Sequence, residues 1–445
     1  MKFGGTSQGT PERMKSILPL VNDGDKNIVV LSAVSGTTNQ LVEIGNLLKQ
    51  GSVDQATSLL AEMEDFYHAY VRSLLHNESA IQESWSYIRA CLNKIKNCGE
   101  GEFTEIQEKV ILAQGELIST YLFTKYAAEQ NIDVSLIPAL EFMQTDENNE
   151  PDLNSIEQKL QTILNTNSQA QLYVTQGYIC MNNNQEIDNL KRGGSDYTAS
   201  IIGAVTRAQE IQIWTDIDGM QNNDPRYVQD TQSIKELSFD EAAELAYFGA
   251  KILHPSTILP AKQNNVPVRL KNTMNPTALG TYISNRSSSQ EIKAIAAKDG
   301  ITAIKIKSDR MLLAYGFMKK TFEIFEKYKT SVDTVTTSEV AVSLTIDDAS
   351  QLPRISEELN KMATVEIDHN LSIICIVGDF ITEKPGYLSK IFAAIAHIPI
   401  RMVSYGGSKN NVTILVESKD KIGALQALNK GLFSSHKPAL EAVAI

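Results

Sequence analysis

Long apolar runs alternate with helical stripes along the first part of the chain. "NIVVLSAV" (27–34) runs without a polar break into Ser-Gly-Thr-Thr, the pattern of a buried parallel strand entering a loop. "QLYVTQGYI" (171–179) and "EIQIWTDI" (210–217) repeat it. Between these strands, Leu59, Met63, Phe66, Tyr70 and Leu74 recur three or four apart, one face of a helix. Thr104 and Gln107 form a capping box, with Ile106, Val110, Ala113, Leu117 and Tyr121 as the stripe behind it. Strands alternating with helices predict an α/β sandwich with a mainly parallel sheet. In such sheets ligands gather at the carboxyl ends of the strands, where the Gly, Ser and Thr loops of this chain fall.

The pattern changes at "ISNRSSSQEIKAIAAKDG" (283–300), a polar, serine-rich stretch that reads as a linker. Beyond it the order β-α-β-β-α occurs twice. The first pass has strand 301–307, helix 316–328, strands 332–337 and 340–346, helix 351–362 and a closing strand 364–368. The second has strand 372–378, helix 386–396, strands 400–406 and 411–417, and helix 420–433. These are two small ferredoxin-like units. The predicted domains are therefore 1–285, a linker 286–300, then 301–370 and 371–445. For closure the second unit has only 438–445, so an interleaved arrangement, with strand 301–307 completing it, stands as the alternative.

Composition narrows the function classes. A chain of 445 residues is long enough for two or three domains. Its 41 basic against 53 acidic residues argue against a nucleic-acid partner, which needs a net basic face. No apolar run reaches the roughly 18 residues of a membrane helix, and no leader is expected ahead of the motif at residue 2. Four scattered cysteines suit reduced thiols in a cytoplasm. The histidines and cysteines show no ligand spacing, so no protein-built metal site is expected.

The chain opens "MKFGGTS". Lys2 precedes Gly4 and Gly5, the reverse of the Walker order, yet a lysine beside a Gly-Gly turn suits phosphate oxygens. A plain structural turn is the alternative. In "KRGGSDYTA" (191–199) the glycines permit a second close approach, and the helix behind them attracts an anion. Arg192 offers a fork for a carboxylate, and Ser195 can cap the helix. Asp196 either caps the helix too or orients a lysine and magnesium. Thr215, Asp216, Arg226 and Lys251 can surround a nucleotide or simply be solvated. Ser32 and Thr38 follow a strand and can line a polar pocket. Glu116 lies at a helix edge in solvent or reaches an ammonium group in a cleft. Two Gly-Gly loops, each with a cation and each after a strand, imply one phosphate cradle. The chemistry that follows is phosphoryl transfer to a carboxylate, which is already ionised and needs no general base.

"KFGGTS", "RGGSDYTA", "WTD" with "DPR", "FGAKILHP" and "VDTVTTSEV" (332–340) stand in the order and approximate spacing of the aspartate kinases. From Lys2 to about Phe433 the chain resembles that branch of the amino acid kinase family. The resemblance implies ATP- and Mg²⁺-dependent phosphorylation of the L-aspartate side chain, the first step toward lysine, threonine, methionine and isoleucine. It gives Lys2 and Asp196, with Gly4 and Gly5, to the transferring phosphate. Ser32, Thr38, Glu116, Arg192 and Ser195 go to aspartate, and Thr215, Asp216, Arg226 and Lys251, with Lys2, to ATP. The C-terminal units are similar to paired ACT domains, which in this family dimerise and bind an amino-acid inhibitor, lysine or threonine, at their interface. Met311, Gly316, Phe317, Met318, Asp333, Thr337 and Ser338 would form that effector site. The homoserine dehydrogenase part of bifunctional relatives is expected to be absent.

Departures from the pattern qualify these expectations. Asp188-Asn189-Leu190-Lys191 replaces the usual Thr-Thr-Leu-Gly, "GYIC" (177–180) replaces Gly-Phe-Ile-Gly, and Gln221 stands where a tyrosine often meets the base. Leu313 and Ala314 occupy positions that are polar in lysine-sensitive relatives. Each polar partner lost from such a pocket costs about 1–3 kcal/mol. Weak lysine inhibition, or another amino-acid effector, is expected. Competing readings are a kinase of glutamate or N-acetylglutamate, and a non-catalytic amino-acid sensor.

Overall fold

The computed structural model describes residues 1–190, 193–249, 255–286, 292–307, 315–380 and 385–433. The chain divides into two compact units. One comprises Met1–Met220, Lys235–Phe239 and Leu253–Arg286; the other comprises Gln221–Ile234, Asp240–Ile252 and Ser287–Ile445.

The first unit contains strands β1 (Lys2–Phe3), β2 (Asn27–Leu31), β3 (Val134–Leu136), β4 (Leu172–Gln176), β5 (Ile179–Met181), β6 (Ile187–Asn189), β7 (Ile211–Thr215), β8 (Glu236–Ser238), β9 (Val268–Asn272) and β10 (Thr281–Ser284). All but β5 and β6, which form a separate hairpin, join one sheet in the order β3-β4-β2-β1-β7-β9-β10-β8. Every neighbouring pair is parallel except β9 and β10. Every residue of β4 is buried, which explains its unbroken apolar character.

The first unit's helices are α1 (Pro11–Val21), α2 (Thr37–Lys49), α3 (Val53–Leu74), α4 (Glu78–Asn97), α5 (Glu105–Glu129), α6 (Ala139–Phe142), α7 (Leu153–Thr166), α8 (Gly194–Val205) and α10 (Leu259–Gln263), while α9 (Phe239–Tyr247) belongs, from Asp240 on, to the second unit. Helices α1 to α5 pack their apolar faces with Phe3, Leu31 and Val174 of the sheet in a single core. The Thr104–Gln107 capping box forms, with the Thr104 amide donating to Gln107 Oε1 at 2.9 Å.

Two stripes differ from expectation. On α3 Tyr70 is buried as expected, but the second buried aromatic is Tyr67, whereas Phe66 is exposed. Tyr67 turns inward because its hydroxyl finds Thr37 Oγ1 at 2.8 Å. Helix α5 is buried almost all round from Ile111 to Phe123, so no single stripe describes it and Glu116 lies inside. Periodicity identifies one apolar face, but a helix covered on several sides has none to identify.

The second unit contains β11 (Ile292–Lys307), β12 (Val335–Thr337), β13 (Ala341–Ile346), β14 (Thr364–Gly378), β15 (Met402–Tyr405) and β16 (Asn411–Glu417). With them come α11 (Phe317–Lys327), α12 (Leu352–Leu359), α13 (Tyr387–Ala394) and α14 (Lys421–Phe433). The sheet order is β12-β13-β11-β14-β16-β15. Strands β11 and β14 each serve both β-α-β-β-α repeats. Residues 301–307 pair with β13 and with the first half of β14, closing the first repeat. Residues 292–298 pair with the second half of β14, 373–378, and complete the second repeat. The stretch expected as a linker thus supplies the crossing strand, and 301–307 stays with the first repeat. The other expected closing strand, 438–445, lies outside the described residues.

A polar signal hid the crossing strand. Lys293 interrupts its apolar run, yet its ammonium is buried against Glu241 of α9 at 2.6 Å, both side chains 0% exposed. Among the described residues no helix is long and apolar enough to cross a membrane.

Removing one partner of a fully buried ion pair leaves the other charge in low dielectric, at a cost of about 3–5 kcal/mol. Lys293→Met should lower the stability of the second unit by that order, read by urea denaturation with a probe in that unit.

Candidate active site

Strand β1 has only two residues, held in parallel register by β2 and β7 on its two sides. Phe3 stacks on Trp214 with centroids 5.5 Å apart. The register puts the carboxyl ends of β1, β2 and β7 side by side, and the next residues, Gly4, Ser32 and Asp216, leave the sheet together. Lys2 Nζ lies 2.7 Å from Asp196 Oδ1 in the first turn of α8. Among the described residues no hydrogen-bond donor is aligned on that oxygen, so the interaction with Lys2 is one of charge. An anion-bearing residue there is also favoured by the helix dipole.

Glycines leave room around this pair. A Cβ on Gly4 would stand 3.5 Å from Lys2 Nζ, and one on Gly5 would press to 2.9 Å from the Ala33 carbonyl. At the start of α8, Gly193 and Gly194 have φ of 69° and 40°, a left-handed turn that favours glycine. Ser195 is buried and accepts a hydrogen bond from Ser32 Oγ at 2.9 Å. A Cβ on Gly177 would stand only 2.3 Å from the Ser195 side chain, so this glycine is what lets Ser195 approach.

Glu116 is 4% exposed, and its Oε2 has no partner among the described residues. Burial pushes its proton affinity up to about 8, against the opposing pull of the Ala33 amide. A buried carboxylate with an unfilled oxygen is suited to receive a cationic group. It is also the interior of the two placements open from the sequence.

The other expected residues are placed as follows. Thr38 is exposed at the second position of α2, while its neighbour Thr37 is the buried one. Thr215 Oγ1 donates to the exposed Asp216 at 3.1 Å. Arg226 belongs to the second unit, where its guanidinium grips Asp224 at 2.6 Å and is otherwise largely exposed. Arg192 and Lys251 lie outside the described residues. In the altered loop, Asp188 is buried and paired with Lys109 of α5 at 3.0 Å, so its charge is already neutralised. Residues not singled out from the sequence also build the site. Gln8 and Ser119 both donate to the Ser32 carbonyl. Ser119 lies three residues beyond Glu116 on one helix face, a spacing that could have revealed it.

In the second unit, Gly316 (φ 84°) starts α11, and Phe317 and Met318 pack into the adjoining core. The Asp333 side chain is fully buried, accepting from Tyr247 OH at 2.8 Å with Lys298 Nζ at 3.3 Å. Its Oδ2 has no partner among the described residues, and burial raises its proton affinity. Thr337 and Ser338 are exposed, the Ser338 amide donating to the Ala341 carbonyl at 2.8 Å. Met311 lies outside the described residues.

A cation and a carboxylate converging on glycine turns, beside a second, unsatisfied carboxylate, suit phosphoryl transfer to a small acidic acceptor. That puts the molecule among the small-molecule kinases of α/β build. Residues 1–272 match the amino acid kinase family, and residues 374–432 match an ACT domain. The chain is 31% identical to lysine-sensitive aspartokinase 3 of Escherichia coli, the alignment covering 97% of this chain and 98% of that protein. It is 33% identical to the chloroplastic aspartokinase 2 of Arabidopsis thaliana, over 98% of this chain and 84% of that one. The crystal structure of E. coli aspartokinase III with aspartate and ADP superposes with a TM-score of 0.83 at 31% identity, covering 97% and 99% of the two chains. The same enzyme with lysine and aspartate gives 0.79 at 32% identity, covering 97% and 98%. The chain belongs to the amino acid kinase family, in its aspartokinase branch.

The raised proton affinity of Glu116 has a stability consequence whose sign is definite. The folded state holds the proton up to about pH 8, whereas the unfolded chain releases it near 4.5. This group therefore costs stability progressively as pH rises between those values, at about 1.4 kcal/mol per unit. Glu116→Gln should match the native chain in stability near pH 4 and exceed it by a few kcal/mol at pH 8, measured by urea denaturation.

Proposed function

We propose that the chain transfers the γ-phosphoryl group of ATP to the side-chain carboxylate of L-aspartate, giving 4-phospho-L-aspartate. The observation that carries this reading is Lys2 meeting Asp196 at the strand ends next to the loop that faces Glu116. Lys2 supplies positive charge to the phosphoryl group in flight, and Gly4 and Gly5 leave the backbone bare of side chains beside it. Glu116 takes the substrate ammonium, and Arg192 a carboxylate, with Ser32, Thr38 and Ser195 bounding the acceptor. The acceptor oxygen is ionised at neutral pH, so positioning and charge neutralisation suffice. Thr215 and Asp216, at the carboxyl end of β7, hold the nucleotide.

Asp196 also fits Mg²⁺. Among the described residues no cluster of three acidic, His or Cys ligands exists, and one carboxylate plus nucleotide phosphates is the usual way this ion is held. Bound there, it would neutralise phosphate charge.

Regulation belongs to the same reading, with an amino acid, lysine or threonine, taken by Gly316, Phe317, Met318, Asp333, Thr337, Ser338 and Met311. The vacant Asp333 oxygen supports a cationic or amino group at that place. A cytoplasmic homodimer through the ACT repeats is supported by free thiols at all four cysteines and by the sheet's end strands β12 and β15. An N-acetylated substrate fits less well, because it would leave Glu116 buried without a cation.

In a hydroxamate assay, aspartate should be turned over well ahead of glutamate and N-acetylglutamate, and Lys2→Met should lower kcat about 10²–10³-fold. Equal turnover of N-acetylglutamate, or near-native activity in the variant, would refute the assignment. Because Leu313 and Ala314 are apolar, lysine should inhibit only in the millimolar range; micromolar inhibition in a titration would show that these positions do not govern the effector.

A further inference from the structure

The structure assigns positioning roles to Gln8 and Ser119: together they clamp the Ser32–Ala33 peptide so that its N–H faces Glu116, tuning the site that takes the substrate ammonium. This rests on the reading of Glu116 given above.

Ser32 is the first residue past β2. Its amide still donates to the Phe3 carbonyl at 3.3 Å, in the manner of the sheet. Its carbonyl instead receives two side-chain donors, Gln8 Nε2 at 2.5 Å and Ser119 Oγ at 2.7 Å. In a trans peptide the C=O and the following N–H point in opposite directions. Fixing the Ser32 oxygen therefore fixes the Ala33 N–H, and it is this N–H that opposes proton uptake by Glu116. Were the peptide to rotate, Glu116 would keep its burial and lose that donor.

Gln8 is an odd choice for mere packing. It is fully buried, its backbone carbonyl accepts from Tyr70 OH at 2.8 Å, and its own Oε1 has no partner. Only the NH₂ end of an amide can face a carbonyl, so the side chain leaves one acceptor unsatisfied to put a donor on Ser32. An apolar residue would fill the space without that loss. Ser119, one turn beyond Glu116, ties the helix that carries the carboxylate to the same peptide.

Other ionisable groups around Glu116 do not duplicate this control. Tyr67 of α3 and Tyr178 of the β4–β5 turn are phenols whose proton affinities are raised by burial and by Glu116 itself. Lys109 of α5 and Asp188 of β6 form a self-compensating pair. Lys2 of β1 is committed to Asp196 of α8.

The test compares full-length wild type, Gln8→Leu, Ser119→Ala, Glu116→Gln and the Gln8→Leu/Glu116→Gln double variant. Two readouts are used: the pH profile of aspartate KM and kcat, and a ¹³C titration of the Glu116 carboxyl, assigned by its loss in Glu116→Gln. Gln8→Leu should raise aspartate KM at pH 7 about fivefold, the ratio one ordinary hydrogen bond represents. It should leave kcat nearly unchanged and move the Glu116 midpoint upward; Ser119→Ala should move it in the same direction and serves if Gln8→Leu does not fold. An unmoved midpoint in both variants overturns the proposal. So does a KM rise in Gln8→Leu that persists undiminished in the Glu116→Gln background. If wild type does not turn over aspartate, the functional reading fails, while the carboxyl titration still decides whether the clamp exists.

Discussion

An ammonium and a carboxylate 2.7 Å apart, at the carboxyl edge of a parallel sheet, are the contact on which the kinase unit depends. One partner sits on a strand of two residues, which has no stability of its own and exists only because β2 and β7 hydrogen-bond it from both sides. The other sits in the first turn of a helix whose N-terminus favours its charge. Both side chains are mostly buried, 12% and 18% exposed, so their attraction is less screened than that of a surface pair. Gly5 is small because a Cβ there would press on the Ala33 carbonyl, and Gly193 and Gly194 because their left-handed φ disfavours a side chain.

Around that pair the molecule accepts polar burial that packing alone would not select. Glu116, Gln8 and, in the other unit, Asp333 each keep one buried oxygen without a partner. Such atoms are unfavourable by roughly the desolvation cost of the group, and native proteins keep few of them. At Glu116 and Asp333 the vacancy falls on residues proposed for the substrate and effector sites, where a ligand's charge would fill it. For Glu116 and Asp333 the consequence is the same in kind: burial raises proton affinity, and a cation arriving at the vacant oxygen would lower it again.

The regulatory unit owes its unity to shared strands. Because β11 and β14 each run through both ferredoxin-like repeats, neither repeat has a complete sheet without the other. Segments from earlier in the chain dock on it as well. Asn223 donates to the Leu425 carbonyl of α14 at 3.2 Å, and Lys421 lies 4.4 Å over the Tyr227 ring, which fixes the loop bearing Arg226 to the second repeat. Helix α9 is held by Glu241 to Lys293, by Glu244 to Ser408 and Asn411, and by Tyr247 to Asp333.

Much of this was legible from the residues alone. The apolar runs of β2, β4 and β7, the Thr104 cap, the repeated β-α-β-β-α order and the cation-plus-glycine loops are local signals, and local chemistry is what a linear pattern records. The first half of β11 was not legible, because the serine-rich stretch leading into it reads as a linker and Lys293 adds to that polar character until Glu241, distant in the chain, neutralises it. Glu116 had two placements open, since a carboxylate beside an apolar stripe reads the same whether water or protein covers it. Gln8 gave no sign at all, its role resting on a carbonyl 24 residues away. The sequence by itself determined which segments become strands and helices and which side chains bring charge to their ends. Only the tertiary structure decided which charges are buried, which meet and which oxygens stay vacant, because desolvation and hydrogen-bond satisfaction depend on neighbours that chain order does not specify.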